Sequence, residues 1–418
     1  MQKYIIHGGK PLSGGIRISG MKNAALPILF ATILASGKSV LHNIPDVSDV
    51  HAAIEILRSV GAEVIYRPDG IEICTDSVSP GIAPYELVQK IRASTYLMGA
   101  ELGRFHTTRV AMPGGCDFGQ RPIDLHIKGF EALGASIQLS SGYVCGEAPN
   151  GLFGSEIYFD TISVGATVNL ILASVLSDGI TVLDNAAREP HICDLANFLN
   201  ACGARITGAG TSVIKIKGVD KLHGVDYTVI PDMIEAGTYM VAAAATKGKL
   251  TLTDIIPKHM DSVTAKLIQA GTVVEEGINS LTVSSGESIR GIQIKTLPYP
   301  GFPTDMHPQF SVLLSLSDET STITEGIWEN RFRYADELCR MGANITVNGK
   351  TATIKGQGGL CGVPVKAVDL RAGAALVVAG LAAEGRTEIS DVGKICRGYD
   401  HLVEKLRDVG ADITLVET

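Results

Sequence analysis

Aromatic residues supply only 5% of this 418-residue chain, and one of them alone is tryptophan. The large rings that dominate many cores are scarce, so the interior must be built from Ala, Val, Ile and Leu. No apolar run reaches the roughly 18–20 residues a membrane-spanning helix needs; the longest, 374–383, suits a buried helix. Positive charge is not in excess either: 36 Lys and Arg face 44 Asp and Glu, a net −8. That argues against a general nucleic-acid or membrane-surface binder, yet a local cluster of Arg and Lys could still hold a small anion. The eight cysteines form no Cys-x-x-Cys pair and no Cys/His metal spacing. They read as reduced thiols of a cytoplasmic protein. The opening Met1-Gln2-Lys3-Tyr4 lacks the basic-then-apolar profile of a signal peptide. Phosphate loops, dinucleotide fingerprints and zinc motifs are missing as well.

What is present is repetition. Six helix-like segments end in a small Gly-containing tag and turn into a strand, with the tag glycines at Gly61, Gly134, Gly203, Gly271, Gly342 and Gly410. The intervals are 73, 69, 68, 71 and 68 residues, so six copies of one unit account for the chain. Each copy carries a nearly all-apolar helix, expected at 24–36, 94–105, 165–178, 236–247, 307–318 and 372–384. A helix without a polar face must be surrounded by protein. A strand and a polar loop follow, then an amphipathic helix, as at 53–60 and 196–202. The tag glycine suits a helix C-cap, where positive φ favours a residue without Cβ.

The unit is therefore β-α-β-α-β-β. Three copies closing around their apolar helices with sheets outside make a domain of about 200 residues. The fold class expected is α/β, two pseudo-threefold domains of three repeats each, an inside-out barrel. One domain takes 20–229; the other takes 1–19 with 230–418, the opening strand pairing within it.

Superposing the copies exposes their odd residues. The start of the buried helix carries Lys22-Asn23, then Arg92, Asp160/Ser163, Asp232/Glu235, Asp305 and Arg371. A helix N-terminus already favours anions. Cations placed there, as Lys22, Arg92 and Arg371 are, make sense where an anion sits between them. The segment 112–122 is the longest irregular loop, with three glycines and two prolines, as in a lid. Cys116 lies at its tip, five residues from Arg121, and is a candidate reactive thiol. Asp305, in Phe302-Pro303-Thr304-Asp305-Met306, reads either as a helix N-cap or as a functional carboxylate.

The chain resembles the UDP-N-acetylglucosamine 1-carboxyvinyltransferase family, enolpyruvyl transferases of peptidoglycan synthesis. The likeness runs from about residue 4 to 415. It is carried by Ser19-Gly20-Met21-Lys22-Asn23-Ala24-Ala25, Pro113-Gly114-Gly115-Cys116, Arg121-Pro122-Ile123-Asp124-Leu125-His126 and Ser163-Val164-Gly165-Ala166-Thr167. Asn185-Ala186-Ala187-Arg188-Glu189-Pro190, Phe302 to Met306, Glu329-Asn330-Arg331-Phe332, Asp369-Leu370-Arg371-Ala372 and Arg397-Gly398-Tyr399 add to it.

The resemblance implies transfer of enolpyruvate from phosphoenolpyruvate to the 3′-hydroxyl of UDP-N-acetylglucosamine, through a tetrahedral ketal that loses phosphate, without a cofactor. By position, Lys22, Arg92, Arg121 and Arg397 would hold the phosphate and carboxylate of phosphoenolpyruvate, with Arg331 and Arg371 completing a positive wall. Cys116 matches the family's reactive cysteine, as proton donor, covalent trap or product-release aid. Asp305 matches the residue that takes the sugar hydroxyl's proton. Asn23, Arg121, Pro122, Ile123, Asp124, Leu125, Ser163, Val164, Gly165, Asp305 and Ile327 would line the UDP-sugar site. The family's pattern is broken at several positions. Cys396 stands for a usual Asp, Thr161 and Ser48 for Lys, Met233 for Arg, His191 for Glu and Trp328 for Phe. Most of these change charge. The alternatives are the sister enzyme that uses shikimate 3-phosphate, which lacks the Pro-Gly-Gly-Cys loop, a weakly active or regulatory paralogue, and a thiol enzyme centred on Cys116.

Overall fold

The computed structural model describes residues 2–81, 83–112 and 123–417. They fall into two compact units, one of residues 2–19 and 231–417, the other of residues from 20 to 230. The repeat is plainest in its third and fifth copies. Gln293–Lys295 runs parallel to Thr320–Thr324, and the hairpin Asn344–Asn348 and Thr351–Lys355 adds antiparallel through its second strand. Glu156–Tyr158, Ile180–Asp184, Arg205–Thr207 and Val213–Lys217 repeat that order. A parallel pair needs a long crossover, and in both copies the apolar helix provides it.

Several sheets recruit a strand from a distance. Ser13–Arg17 precedes the first apolar helix, yet it pairs in parallel with Lys249–Thr253 of the fourth copy. The equivalent place beside Lys38–His42 is taken by Asp226–Thr228, from just ahead of the fourth helix. The sixth copy ends one strand short, and Gln2–His7 fills the gap, antiparallel to both Arg386–Ser390 and Asp412–Glu417. In the second copy the described sheet has three strands, Thr107–Ala111, Tyr143–Glu147 and Ser136–Ser140, and the short helix Tyr85–Val88 precedes the apolar one.

The apolar helices span Lys22–Ala31, Tyr96–Phe105, Val164–Ser174, Met233–Ala245, His307–Ser315 and Leu370–Ala382. Every residue of Met233–Ala245 is buried, and the last three helices pack on one another. Several stop earlier than the apolar run implies. In the first copy the chain tightens into a 3-10 turn at Thr32–Leu34 and then pairs at Ala35–Ser36. Close approach of Tyr96–Phe105 to Val164–Ser174 depends on glycine. A Cβ on Gly99 would lie 2.4 Å from the Asn169 carbonyl oxygen, and one on Gly103 2.7 Å from that of Leu172.

All six tag glycines have positive φ, between 95° and 105°. In each tag the next residue's N–H reaches back five positions, as Ala62 does to Leu57 and Ala411 to Leu406, both at 3.0 Å. The glycine's own N–H bonds three back, closing a Schellman cap six times over.

One core group makes stability depend on pH. Glu101, on the Tyr96–Phe105 helix, is 1% exposed and accepts the Thr108 hydroxyl at 2.6 Å. Burial pushes its carboxyl up to about 7, against the opposing hydrogen bonds. The folded state therefore holds a proton that the unfolded chain has released. The stabilisation is complete below the unfolded value near 4.5 and is lost as pH rises through about 7, an effect of up to about 3 kcal/mol. Glu101→Gln should gain in Tm relative to the parent at pH 8 but not at pH 5. A parallel shift at both values would refute the assignment.

Candidate functional site

In the unit holding residues 231–417, Asp305 lies in the 3-10 turn Thr304–Met306, immediately before the His307–Ser315 helix. The N-cap positions of this turn and of the helix are Pro303 and Met306, and neither makes a side-chain cap bond. The Asp305 carboxylate lies between two guanidiniums. Arg331 Nη2 donates to Oδ1 at 2.9 Å, and Arg371 Nε donates to Oδ2 at 3.0 Å. Both arginines are almost fully buried, at 4% and 3% exposure, while the Asp305 side chain keeps 28%. Charge-assisted bonds of this kind fix orientation as well as contributing energy.

The helix starts explain how the arginines arrive. Asp369 caps the Leu370–Ala382 helix by accepting from the N–H groups of Arg371 and Ala372. That sets Arg371 in the first turn, its guanidinium over the Tyr399 ring at 5.3 Å. Below Asp305, His307 is fully buried with Nδ1 2.9 Å from the Tyr334 hydroxyl. Burial, then the Arg331 charge, holds this imidazole well below its ordinary value, against the opposing pull of Asp305. His307 is thus a neutral core group. Two guanidiniums converge on the one Asp305 carboxylate. Arg397 ends the 3-10 segment Val392–Arg397 and is half-buried. Beside it the exposed Cys396 has Sγ 3.7 Å from the Tyr4 hydroxyl.

In the other unit, Lys22 opens the Lys22–Ala31 helix and is 8% exposed. Its Nζ donates to Asp49 Oδ2 at 3.1 Å, and Asp49 is 5% exposed in the first turn of Ser48–Ser59. Asn23 follows, half-buried. Arg92 begins the 3-10 turn Arg92–Thr95, leading into Tyr96–Phe105. It is one of the charges that act on the buried His126, whose imidazole is pushed down to about 4 by burial, then by Arg92, against Asp124. Asp124 and Leu125 start the Asp124–Ala132 helix, with Ile123 buried just before it. Ser163 caps Val164–Ser174, its Oγ accepting from the Ala166 N–H at 3.3 Å. Gly165 faces His126: a Cβ there would lie 3.1 Å from the ring. Cys116, Arg121 and Pro122 lie outside the described residues.

The geometry brings Asp305, Arg331 and Arg371 together in one unit, and Arg92, Asp124 and Gly165 near His126 in the other. Sequence reasoning missed Asp49 and Glu325. The first signal was an acidic residue on the inward face of an amphipathic helix. The second was a Glu directly after the fifth copy's central strand, where four other copies have Asn or Asp. Among the described residues no cluster of His, Cys, Asp and Glu could hold a metal ion, and no helix is long and apolar enough to cross a membrane.

Comparison with known proteins gives this arrangement its context. The family model for EPSP synthase (3-phosphoshikimate 1-carboxyvinyltransferase) matches residues 6–406. UDP-N-acetylglucosamine 1-carboxyvinyltransferase 3 of Caldanaerobacter subterraneus subsp. tengcongensis is 52% identical over 413 residues, covering 99% of each chain. UDP-N-acetylglucosamine 1-carboxyvinyltransferase 2 of Clostridium acetobutylicum is 53% identical over 414 residues, again 99% of each. The crystal structure of the enolpyruvyl transferase NikO from Streptomyces tendae superposes with a TM-score of 0.89 at 27% identity, over 100% of this chain and 99% of that one. EPSP synthase from Acinetobacter baumannii, at 19% identity and a TM-score of 0.80 over the whole of both chains, shares the fold. Sequence and architecture lead to one conclusion: the chain belongs to the EPSP synthase family of enolpyruvyl transferases, among its UDP-N-acetylglucosamine 1-carboxyvinyltransferases.

Proposed function

We propose that this chain transfers the enolpyruvyl group of phosphoenolpyruvate to the 3′-hydroxyl of UDP-N-acetylglucosamine and releases phosphate, the committed step toward peptidoglycan. The observation that carries it is identity of 52% and 53%, over 99% of both chains, to relatives named for that activity. In the reaction the sugar hydroxyl gives up its proton as its oxygen bonds to C2 of phosphoenolpyruvate, while C3 takes up a proton. The tetrahedral ketal then loses phosphate, and a proton leaves C3 to restore the double bond. Both substrates are soluble phosphorylated metabolites, which suits a cytoplasmic enzyme.

Asp305 is the base in this reading. A carboxylate has about four acceptor directions, and two of them point at Arg331 and Arg371. These donors orient it for a hydroxyl brought within hydrogen-bond reach. Lys22, Arg92, Arg121 and Arg397 take the carboxylate and phosphate of phosphoenolpyruvate, for which guanidinium forks are well shaped. Arg331 and Arg371 extend the cationic wall. In this reading these cations meet the charge that develops on the donor. Asn23, Ile123, Asp124, Leu125, Ser163, Val164, Gly165 and Ile327, with Arg121 and Pro122, line the sugar nucleotide. Cys116 adds a thiol that can protonate or trap the donor.

The test is phosphate release from phosphoenolpyruvate with UDP-N-acetylglucosamine, UDP-glucose or shikimate 3-phosphate as acceptor. The expected result is turnover with UDP-N-acetylglucosamine and an enolpyruvyl ether formed mole for mole with phosphate. Turnover with shikimate 3-phosphate alone, or with none of the three, would overturn the proposal.

A further inference from the structure

The six copies can be compared at the residue that follows the central strand. In four of them it is Asn43, Asn185, Asp254 or Asp391, each at positive φ. Asn43 and Asn185 donate their amides to the carbonyls of Val229 and Phe159, just past the neighbouring first strand. The fifth copy departs from this. Its residue is Glu325, outside the left-handed region, 1% exposed, with both carboxylate oxygens engaged. Oε1 accepts from the N–H groups of Ile327 at 2.7 Å and Trp328 at 3.0 Å. Oε2 accepts from the Thr304 hydroxyl at 2.8 Å. His307 Nε2 stands 3.3 Å from the same oxygen.

One buried side chain therefore ties two loops together. Thr304 is the residue before Asp305. Ile327 and Trp328 begin the turn that leads to Arg331, whose guanidinium returns to Asp305 at 2.9 Å. The chain makes a closed ring: Asp305 to Thr304, to Glu325, to 327–331, and back to Asp305. We propose that Glu325 is a positioning residue for the transfer reaction, holding the Asp305 carboxylate and the Ile327 turn at a fixed distance through Thr304. This rests on the functional reading above, in which Asp305 is the base and Ile327 lines the acceptor. A misplacement of about 1 Å at a reacting group can cost roughly a hundredfold in rate, which makes such a brace worthwhile in a loop-built site. The neutral His307 beside it fits a buried carboxylate satisfied by neutral donors, not by an ion pair.

The chain supplies its own probe, because Trp328 is its only tryptophan and its N–H is one of the three bonds to Glu325. Thr304→Val keeps the side-chain shape and deletes one bond. Kinetics, Trp328 fluorescence and Tm are measured for Thr304→Val, Thr304→Ser and Glu325→Gln. The expected result is a kcat lowered about ten- to a hundredfold in Thr304→Val, with Tm almost unmoved and an altered Trp328 emission. Thr304→Ser, which retains the hydroxyl, should recover most of the rate, and Glu325→Gln should fall between. An active parent whose Thr304→Val variant keeps kcat, or loses it only in step with Tm, overturns the brace alone. A parent with no phosphate release in the acceptor assay overturns the functional reading, and the brace with it.

Discussion

Asp305→Asn should lower kcat by about 10²- to 10⁴-fold, the usual contribution of a positioned general base, while the protein stays folded. The replacement has the same shape, so it isolates charge and basicity from volume. Its amide can still accept from Arg331 or Arg371 through its one oxygen, but it then turns an NH2 toward the other, donor against donor. Both arginines are almost completely buried and neither can swing into water. The stability cost should be about 1–3 kcal/mol, at the lower end because the Asp305 side chain keeps 28% of its exposure. The diagnostic is the split between parameters: a large fall in kcat with KM for phosphoenolpyruvate moved only a fewfold. If kcat stays within about threefold of the parent at neutral pH, Asp305 takes no proton in the reaction, because a base is worth far more than that. Asp305→Ala would be harder to read, since it removes the acceptor for both guanidiniums at once.

The second large effect is expected at Lys22, where structure and catalysis must be separated. Lys22 Nζ and Asp49 Oδ2 are 3.1 Å apart, with side chains 10% and 7% exposed. Removing one partner of a buried pair typically costs about 3–5 kcal/mol, whereas neutralising both is often close to neutral. Lys22→Met should therefore lose both Tm and turnover, the latter by about 10²- to 10³-fold, as for loss of one charge-stabilising donor. Lys22→Met with Asp49→Asn should recover much of the Tm and none of the turnover. Recovery of both would make Lys22 a structural cation only and remove it from the phosphoenolpyruvate site.

The comparison of copies explains why so much was legible in one sequence. The six glycine tags encode a backbone requirement, positive φ at a helix C-cap, and all six meet it with the same pair of hydrogen bonds. A local requirement repeated six times is readable without coordinates. The apolar helices were legible for a similar reason: a helix with no polar face has only the interior to occupy. Their C-terminal ends were less so, because Ala- and Leu-rich sequence does not mark where a helix tightens into a 3-10 turn.

Strand partnership lay beyond that reach. Nothing in Ser13–Arg17 or Asp226–Thr228 states that each pairs with the copy that does not follow it in the chain. Edge hydrogen bonds are generic, and the choice among edges is made by closure of the whole unit. The same holds for Glu325 and Asp49, whose meaning depends on what faces them across the core.

By itself, then, the sequence determined the repeat, the class of each helix, the family and the residue types of the site, since these follow from period, composition and contiguous motifs. Tertiary structure alone decided that Asp305 is gripped by Arg331 and Arg371, and that Lys22 meets Asp49. Those pairings join residues 26, 66 and 27 positions apart, and distances of that kind are set by how packed elements meet in space, which no local pattern records.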